Sequence, residues 1–192
     1  MDINVIPNEY LDFYAKYEVV TQSGAVFYPA LDAAHTTQEL LNKRELNNIC
    51  AQSAGSFLGI GNQIAGLTRN EIRNLLRVQR EGIDYLSMVF GGLHNQRVMD
   101  FFASAAKVLA VFRFGPEGEE SSHAFGAIRY PQIPMPNGRY HTPDEFAVWD
   151  VCAEPPWFYT HVPTQELLNH IRGYFNQTPH FKAKPVELYA FH

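Results

Sequence analysis

The chain has 192 residues and a mass of 21.8 kDa, the size of one ordinary domain that can bury most of its apolar surface without disulfides or metals. Hydrophobic residues make up 46% and charged residues 18% of it, a composition that excludes a disordered chain. The formal net charge is -5, and the longest basic run is Lys43-Arg44. Neither a nucleic acid nor an anionic membrane surface is therefore expected as a partner.

The N-terminal segment MDINVIPNEYLDFYAKYEVV has neither the basic start nor the apolar centre of a signal peptide. No apolar run approaches the roughly 20 residues that cross a bilayer. We therefore expect a cytoplasmic protein, or one secreted without a cleaved signal peptide. The two cysteines, Cys50 and Cys152, are too few for a disulfide framework, so both thiols are expected to be reduced.

The first half of the chain has a mainly helical pattern. Residues 1–48 are the least regular part, in which Ser23-Gly24 predicts a turn between two short strands. Residues 49–106 are predicted to be helical, and the first helix ends at the glycines at 59 and 61. Thr68 and Glu71 predict a capping box at the start of a second helix, and a further helix is predicted at about 95–106.

From Lys107 onward the pattern is that of an antiparallel sheet with one helix. Strands are predicted at 108–114 (VLAVFRF), 122–130 (SHAFGAIRY) and 145–152 (EFAVWDVC), with a last strand in KPVELYAF. Thr164 is predicted to cap a helix that runs to about Phe175. The sequence therefore predicts one α+β domain over residues 1–192, with an N-terminal helical part packed on an antiparallel sheet.

Cys50 lies where the first long helix is predicted to begin. The thiolate is the reactive form of cysteine, and the N-terminus of a helix stabilises it through unpaired N–H groups and the helix dipole. Small residues follow at positions 51, 53, 54 and 55, so another element can approach the helix closely. A buried structural cysteine is the alternative interpretation of this position.

His123 begins one predicted strand, and Asp150 lies in the next. Opposed or diagonal side chains on one face of a ladder are about 5 to 8 Å apart, so this imidazole and this carboxylate can meet. A thiol nucleophile, an imidazole that takes its proton and a carboxylate that orients the imidazole are the three parts of a cysteine hydrolase centre. We therefore predict Cys50, His123 and Asp150 as catalytic residues.

This order of elements resembles that of the papain-like cysteine hydrolases, over about residues 50–152. The resemblance rests on a cysteine that opens the first long helix, a strand VLAVFRF, a strand that opens with His in SHAFGAI, and a strand that ends in Asp in FAVWDV. The closer likeness is to the compact bacterial effector and toxin branch, which includes proteases and glutamine deamidases. The resemblance implies a papain-like fold, a protein substrate, a role in virulence and no cofactor.

Two features of papain are missing from this sequence: the Gln before the nucleophile that helps to bind the oxyanion, and the aromatic residue after it. Asn47 and Asn48 are candidate oxyanion donors, together with the backbone N–H of Cys50, but a plain helix cap is an equal explanation for either asparagine. Cys152 is predicted to share a strand and a face with Asp150. It is interpreted as a packed strand cysteine, with a second thiol at the site as the alternative.

Other residues compete for the same roles. His141 is the main rival to His123 as the base, and Asp144 and Glu145 are rivals to Asp150. The eight histidines form no HxxxH or HxH pair, so a zinc site would have to be assembled from distant parts of the chain, and no metal is predicted. No glycine-rich phosphate loop is found either.

Two loops and a second function remain open. PQIPMPNG is interpreted as a wall of a substrate groove or as a stiff connector, and AEPPWFYT as a binding ledge or as filling of the core edge. A non-enzymatic, acidic binding protein, such as a toxin-neutralising immunity protein, is the alternative to an enzyme. The sequence does not define the oligomeric state.

Overall fold

The computed structural model describes residues 6–21, 23–78, 82–88, 96–114, 121–152, 156–176 and 186–192. Within them the architecture is α+β, as predicted, with seven helices, one six-stranded antiparallel sheet and two two-stranded sheets. The elements in chain order are α1 (Asn8–Tyr14), β1 (Val19–Val20), β2 (Val26–Phe27), α2 (Pro29–Asn42), α3 (Ile49–Phe57), α4 (Gly61–Ile64), α5 (Arg69–Val78), β3 (Ile83–Met88), α6 (Gln96–Ser104), β4 (Lys107–Phe114), β5 (Ser121–Arg129), β6 (Ile133–Pro134), β7 (Tyr140–His141), β8 (Glu145–Asp150), β9 (Trp157–Pro163), α7 (Thr164–Asn176) and β10 (Val186–Phe191).

The large sheet is covered on both faces. Its strand order is β3-β10-β4-β5-β8-β9. Along β5, Ala124 and Ile128 belong to the cluster formed with α2, α3 and α5, whereas Phe125 and Ala127 belong to the cluster formed with α6 and α7. Burial on both faces explains why the central strands have almost continuous apolar sequences instead of alternating ones.

Helix α3 lies directly against β5 and β8. A Cβ atom added to Gly126 of β5 would come within 3.1 Å of the carbonyl oxygen of Ala54, so this glycine permits the close approach. The indole of Trp149 in β8 donates a hydrogen bond of 2.7 Å to the Ser53 hydroxyl, which also bonds the Thr37 hydroxyl of α2 at 2.6 Å. These buried contacts fix the position of α3, and with it the start of that helix.

Several local predictions are confirmed. Gly24, with a φ of 80°, lies in the turn between β1 and β2, and Gly59, with a φ of 77°, follows the end of α3. Glu71 accepts hydrogen bonds from the backbone N–H and the hydroxyl of Thr68, which is the predicted capping box. The predicted strands 108–114 and 122–130, the helices at about 95–106 and from Thr164, and the last strand are all present, within one or two residues of the described elements.

Two predictions of the helical and irregular parts are wrong, and one strand lies in a segment for which no secondary structure was predicted. The segment 1–48 contains a 14-residue helix, α2, whose first residue is Pro29 and whose buried face consists of Pro29, Ala30, Ala33, Ala34 and Thr37. Such small side chains give little hydrophobic periodicity, although a proline at the first helical position is a start signal. The segment 49–106 contains the edge strand β3, which is paired to the distant β10, and the aromatic segment before α7 is the edge strand β9.

The predicted strand 145–152 is too long. Strand β8 ends at Asp150, and Cys152 lies in the turn that follows. Its thiol is exposed, so the prediction of a packed strand cysteine is wrong. Among the described helices, none has the length and apolar character needed to cross a membrane.

Candidate functional site

The predicted site lies where two strands separate. Strand β5 is paired to β8 from Arg129 to Phe125, where Phe125 lies opposite Asp150. Beyond that point β5 continues along β4 as far as Ser121, while the chain after Asp150 turns away from the sheet. His123 therefore lies just past the split, where β5 is paired to β4 but not to β8.

His123 is held in a nearly closed aromatic environment. The side chain is 3% exposed. Its ring centroid is 4.8 Å from that of Tyr174 and 6.1 Å from that of Phe112. Tyr174 and Phe112 also contact each other, with ring centroids 4.7 Å apart, and this packing restricts the rotation of the imidazole, so its two nitrogens point to defined neighbours.

The two nitrogens of His123 contact an acid and a thiol. Nε2 lies 2.9 Å from Oδ1 of Asp150, and Nδ1 lies 3.0 Å from Sγ of Cys152. The distance from Nε2 to Asp150 is short enough for an ion pair. Its angles do not suit a hydrogen bond, however, and Nε2 has no other hydrogen-bond partner in the described part of the molecule. The predicted pairing of imidazole and carboxylate is therefore present, and Cys152 is added to it.

Asp150 is the centre of a buried polar cluster. Its Oδ1 accepts a hydrogen bond from the backbone N–H of Cys152 at 2.9 Å. Its Oδ2 lies 2.8 Å from Nε2 of His170 and accepts a hydrogen bond from the Tyr174 hydroxyl. Burial alone raises the pKa of Asp150, but its contacts with His123, His170 and Tyr174 outweigh that effect and hold it well below the usual range. Asp150 is thus a carboxylate at neutral pH.

The same contacts keep His123 charged. Burial lowers the pKa of His123, whereas its interactions with Asp150, Cys152 and Cys50 raise it, and the net result is a pKa well above the usual value. The site therefore contains an imidazolium and a carboxylate at neutral pH. A protonated imidazole is the neighbour that stabilises a thiolate.

Cys50 approaches this imidazole from the other layer. It is the second residue of α3, is half-buried and packs against the cluster on the α3 face of the sheet. His123 and Asp150 lie on the α7 face, since their neighbours along the strands, Phe125 and Val148, belong to that cluster. The Cys50 thiol nevertheless interacts with the His123 imidazole and raises its pKa.

The candidate oxyanion residues lie beside a different cavity. Asn48 is the N-cap residue of α3, with a φ of 88°, and its side chain makes no capping hydrogen bond. Asn47 and Asn48 line a cavity of about 670 Å³ whose lining includes neither Cys50 nor His123. Asn48 thus occupies the cap position that was the alternative explanation for it, without a capping bond from its side chain. The role of Asn47 or Asn48 as an oxyanion donor stays a prediction.

A second cavity opens at the acid and the exposed thiol. It has a volume of about 450 Å³, and its lining comprises Asp150, Cys152, Trp157, Tyr159, Asn169, His170, Gly173 and Tyr174. Trp157 and Tyr159 are 44% and 37% exposed, whereas Phe158 between them is buried. Alternate side chains of the aromatic segment of β9 thus line a cavity and fill the core edge, and its use as a binding ledge stays a prediction.

His170 and Tyr174 are site residues that the sequence reasoning did not identify. They are separated by four residues on α7, so their side chains share one face of that helix. That spacing, in a helix that follows the predicted Asp strand, is the signal that could have identified them.

The rival residues lie at the other end of the sheet. His141, Asp144 and Glu145 line a third cavity of about 430 Å³ together with His161. Glu145 lies 2.9 Å from His161, and Asp144 lies 3.5 Å from Arg129. This cavity lies at the Arg129 end of β5, and His123 lies near the other end. At about 3.4 Å per residue, the two are about 20 Å apart along the strand. These three residues are therefore not alternatives at the Cys50 site.

The proline-rich segment also lies at that end. Residues 133–134 and 140–141 form the β6–β7 hairpin, which follows Arg129, the last residue of β5. The hairpin connects β5 to β8 at the end of the ladder remote from His123. The suggestion that it forms a wall of the groove at His123 is therefore wrong, and the connector interpretation is the one that fits.

No model of a known protein family matches the chain, and a search of curated proteins finds no match.

Proposed function

We propose that this protein is a thiol-dependent hydrolase that acts on amide bonds of a protein substrate, either as a protease or as a glutamine deamidase. The observation that supports it best is the buried imidazole of His123, which lies between the Asp150 carboxylate on Nε2 and the Cys152 thiol on Nδ1 and whose pKa is also raised by the Cys50 thiol. Acid, base and nucleophile are the parts that this chemistry requires. The papain-like fold and a role as a secreted bacterial effector or toxin belong to the same proposal.

Two thiols are candidates for the nucleophile, and we assign Cys50. It lies in the first turn of α3, where backbone N–H groups have no partner within the helix and can bind a developing oxyanion. Cys152 is the second candidate because its Sγ lies 3.0 Å from Nδ1 of His123 and it opens onto the 450 Å³ cavity.

The reaction follows from these roles. The Cys50 thiolate attacks the carbonyl carbon of the substrate and forms a C–S bond, while the charge on the carbonyl oxygen is stabilised at the start of α3. The C–N bond then breaks, and the departing amine or ammonia takes the proton of the His123 imidazolium. His123, now neutral, removes a proton from water, whose oxygen forms a bond to the carbonyl carbon of the thioester. The C–S bond then breaks, and Cys50 leaves as a thiolate beside the His123 imidazolium, which is the starting state. Asp150 orients His123 and stabilises its charged form.

Peptide mapping after brief treatment with iodoacetamide at neutral pH tests the site directly. We expect Cys50 to be alkylated much faster than a cysteine in a denatured control of the same chain. His123→Ala should remove that advantage, because the imidazolium is lost. Cys152→Ser is the comparison variant and should keep most of the advantage of Cys50, because Asp150 still stabilises the charged form of His123. Faster labelling of Cys152 than of Cys50 would transfer the nucleophile role to Cys152, and slow, equal labelling of both would favour the non-enzymatic binding protein.

The reaction class requires a substrate assay. A mixed protein digest is incubated with the wild-type chain and with Cys50→Ser, and mass spectrometry then detects newly cleaved peptides and glutamines converted to glutamate. The proposal expects one of these two products with the wild type and neither with Cys50→Ser. The same products from both proteins would contradict it.

A further inference from the structure

The cluster at the split of the sheet has the composition of a transition-metal site. His123, Asp150 and Cys152 each provide one ligand atom, and these atoms all lie within 4.8 Å of one another. In a tetrahedral zinc site the ligand atoms are about 3 to 4 Å apart, given metal–ligand distances of about 2.0 to 2.3 Å. Asp150 contacts Nε2 of His123 and Cys152 contacts Nδ1, so a side-chain adjustment is needed to bring both to the same ring nitrogen. Cys152 is exposed and lies in the turn after the end of β8.

The polar groups of the cluster are incompletely satisfied without a ligand. His123 is 3% exposed, yet its Nε2 has no hydrogen-bond partner of good geometry among the described residues. Unsatisfied buried polar atoms are rare in folded proteins and often indicate an ion or water. This atom lies 2.9 Å from Oδ1 of Asp150 without forming a hydrogen bond of good geometry, so the convergence of the side chains does not by itself satisfy it.

The surroundings of the cluster also fit a metal. His170 and Tyr174 both bond Oδ2 of Asp150, which holds the carboxylate in place in the way that outer contacts hold metal ligands. A thiolate and a carboxylate together balance the charge of a divalent ion. Asp150 and Cys152 both line the 450 Å³ cavity, so an ion can enter from it and keep a fourth position open to water.

We propose that Cys152, His123 and Asp150 form a binding site for one zinc ion, with an open coordination position that faces this cavity. A thiolate and an imidazole favour zinc over magnesium or calcium, which prefer oxygen ligands alone. The ion and the hydrolase reaction use the same imidazole, so a bound ion holds the proposed catalytic centre inactive. Binding requires that His123 release its proton, since a metal binds the neutral imidazole, and it does not rest on the proposed function.

Cobalt titration of the reduced, metal-free chain tests the site, because Co²⁺ reports thiolate ligation by a charge-transfer band and four-coordination by intense visible bands. The wild type should bind one Co²⁺ per chain, and one equivalent of Zn²⁺ should remove both signals. Cys152→Ser should abolish the charge-transfer band and weaken Co²⁺ binding by about 100-fold or more. Loss of a side chain that only supports a ligand already lowers metal affinity by about 10- to 100-fold, and loss of the ligand itself should cost at least as much. Cys152 is exposed, so this variant is expected to fold.

Cys50→Ser is the matched control, since Cys50 is outside the set of three converging ligands. It should bind Co²⁺ within a few-fold of the wild type and keep the charge-transfer band. The proposal is overturned by any of three results: no thiolate band in the wild type, a band that persists in Cys152→Ser, or a band that disappears in Cys50→Ser. Each of these can occur whether or not Cys50 proves to be a nucleophile, so the two proposals fail separately.

Discussion

Replacement of Asp150 by asparagine tests the central electrostatic feature of the structure. The carboxylate is 2% exposed and is approached on Oδ1 by Cys152 N–H and His123, and on Oδ2 by His170 and Tyr174. Asparagine keeps the shape but has no charge, and its NH₂ group faces two of these groups in place of an acceptor. Hydrogen bonds to charged groups contribute about 1.5 to 3 kcal/mol each. Breaking a buried ion pair by removal of one partner costs about 3 to 5 kcal/mol.

We therefore expect Asp150→Asn to lower the free energy of unfolding by about 3 to 5 kcal/mol, measured by urea denaturation near pH 6. For a chain of this size about 2 to 4 °C of Tm corresponds to each kcal/mol, so the midpoint should fall by about 6 to 20 °C. Glu39→Gln is the control, since Glu39 lies 3.9 Å from Lys43 and both side chains are largely exposed. It should change stability by about 0.5 kcal/mol or less. A loss below about 1 kcal/mol for Asp150→Asn would refute the reasoning.

The effect of Asp150→Asn should also depend on pH. The pKa of Asp150 is lowered in the folded chain, so its stabilisation is present above the ordinary aspartate pKa and is lost as pH falls through the folded value. The pKa of His123 is raised, so its stabilisation is present below the ordinary histidine pKa and is lost as pH rises through the folded value. The difference between wild type and variant should therefore be largest at about pH 5 to 6.5. A difference that does not change with pH would contradict this assignment of charges.

Two further predictions concern the packing that holds α3. Gly126→Ala should lower the free energy of unfolding by about 1 to 3 kcal/mol, because the added Cβ would lie 3.1 Å from Ala54 O and from Leu58 Cγ. Gly173→Ala in α7 is the control, since nothing lies within 4 Å of its added Cβ. It should raise the free energy of unfolding by about 0.5 to 1 kcal/mol in the same denaturant assay. Trp149→Phe removes the hydrogen bond to Ser53 and part of a fully buried ring. The free energy of unfolding should therefore fall by about 2 to 3 kcal/mol in the same measurement. An unchanged denaturation midpoint would show that this contact does not hold α3.

The elements near the site could be predicted because their signals are local. The apolar strands β4, β5 and β8 and the Thr68–Glu71 capping box depend on residues close in sequence. The meeting of His123 and Asp150 followed from pairing of consecutive strands, in which the register places Phe125 opposite Asp150.

The remaining features depend on contacts between distant residues. Strand β3 forms at the edge of the sheet because β10, about one hundred residues later, pairs with it, and no local pattern encodes that partner. Cys152 was wrongly predicted to lie in β8 for a different reason. The end of a strand is set by where pairing stops, and Asp150 is the last residue of β8 that is paired to β5. Helix α7 places His170 and Tyr174 on the acid through tertiary packing.

The β6–β7 hairpin is a suitable place for an inserted tag, because it lies far from the point where β5 and β8 separate. It leaves and rejoins the sheet at Arg129 and Glu145, and its residues Ile133 and Met135 are exposed. Exposed loop tips tolerate inserted sequence far better than buried segments do. A fluorescent reporter or an affinity tag placed between β6 and β7 should thus leave the imidazole, both thiols and the cavity beside them undisturbed, and would allow the protein to be followed or immobilised in its working form.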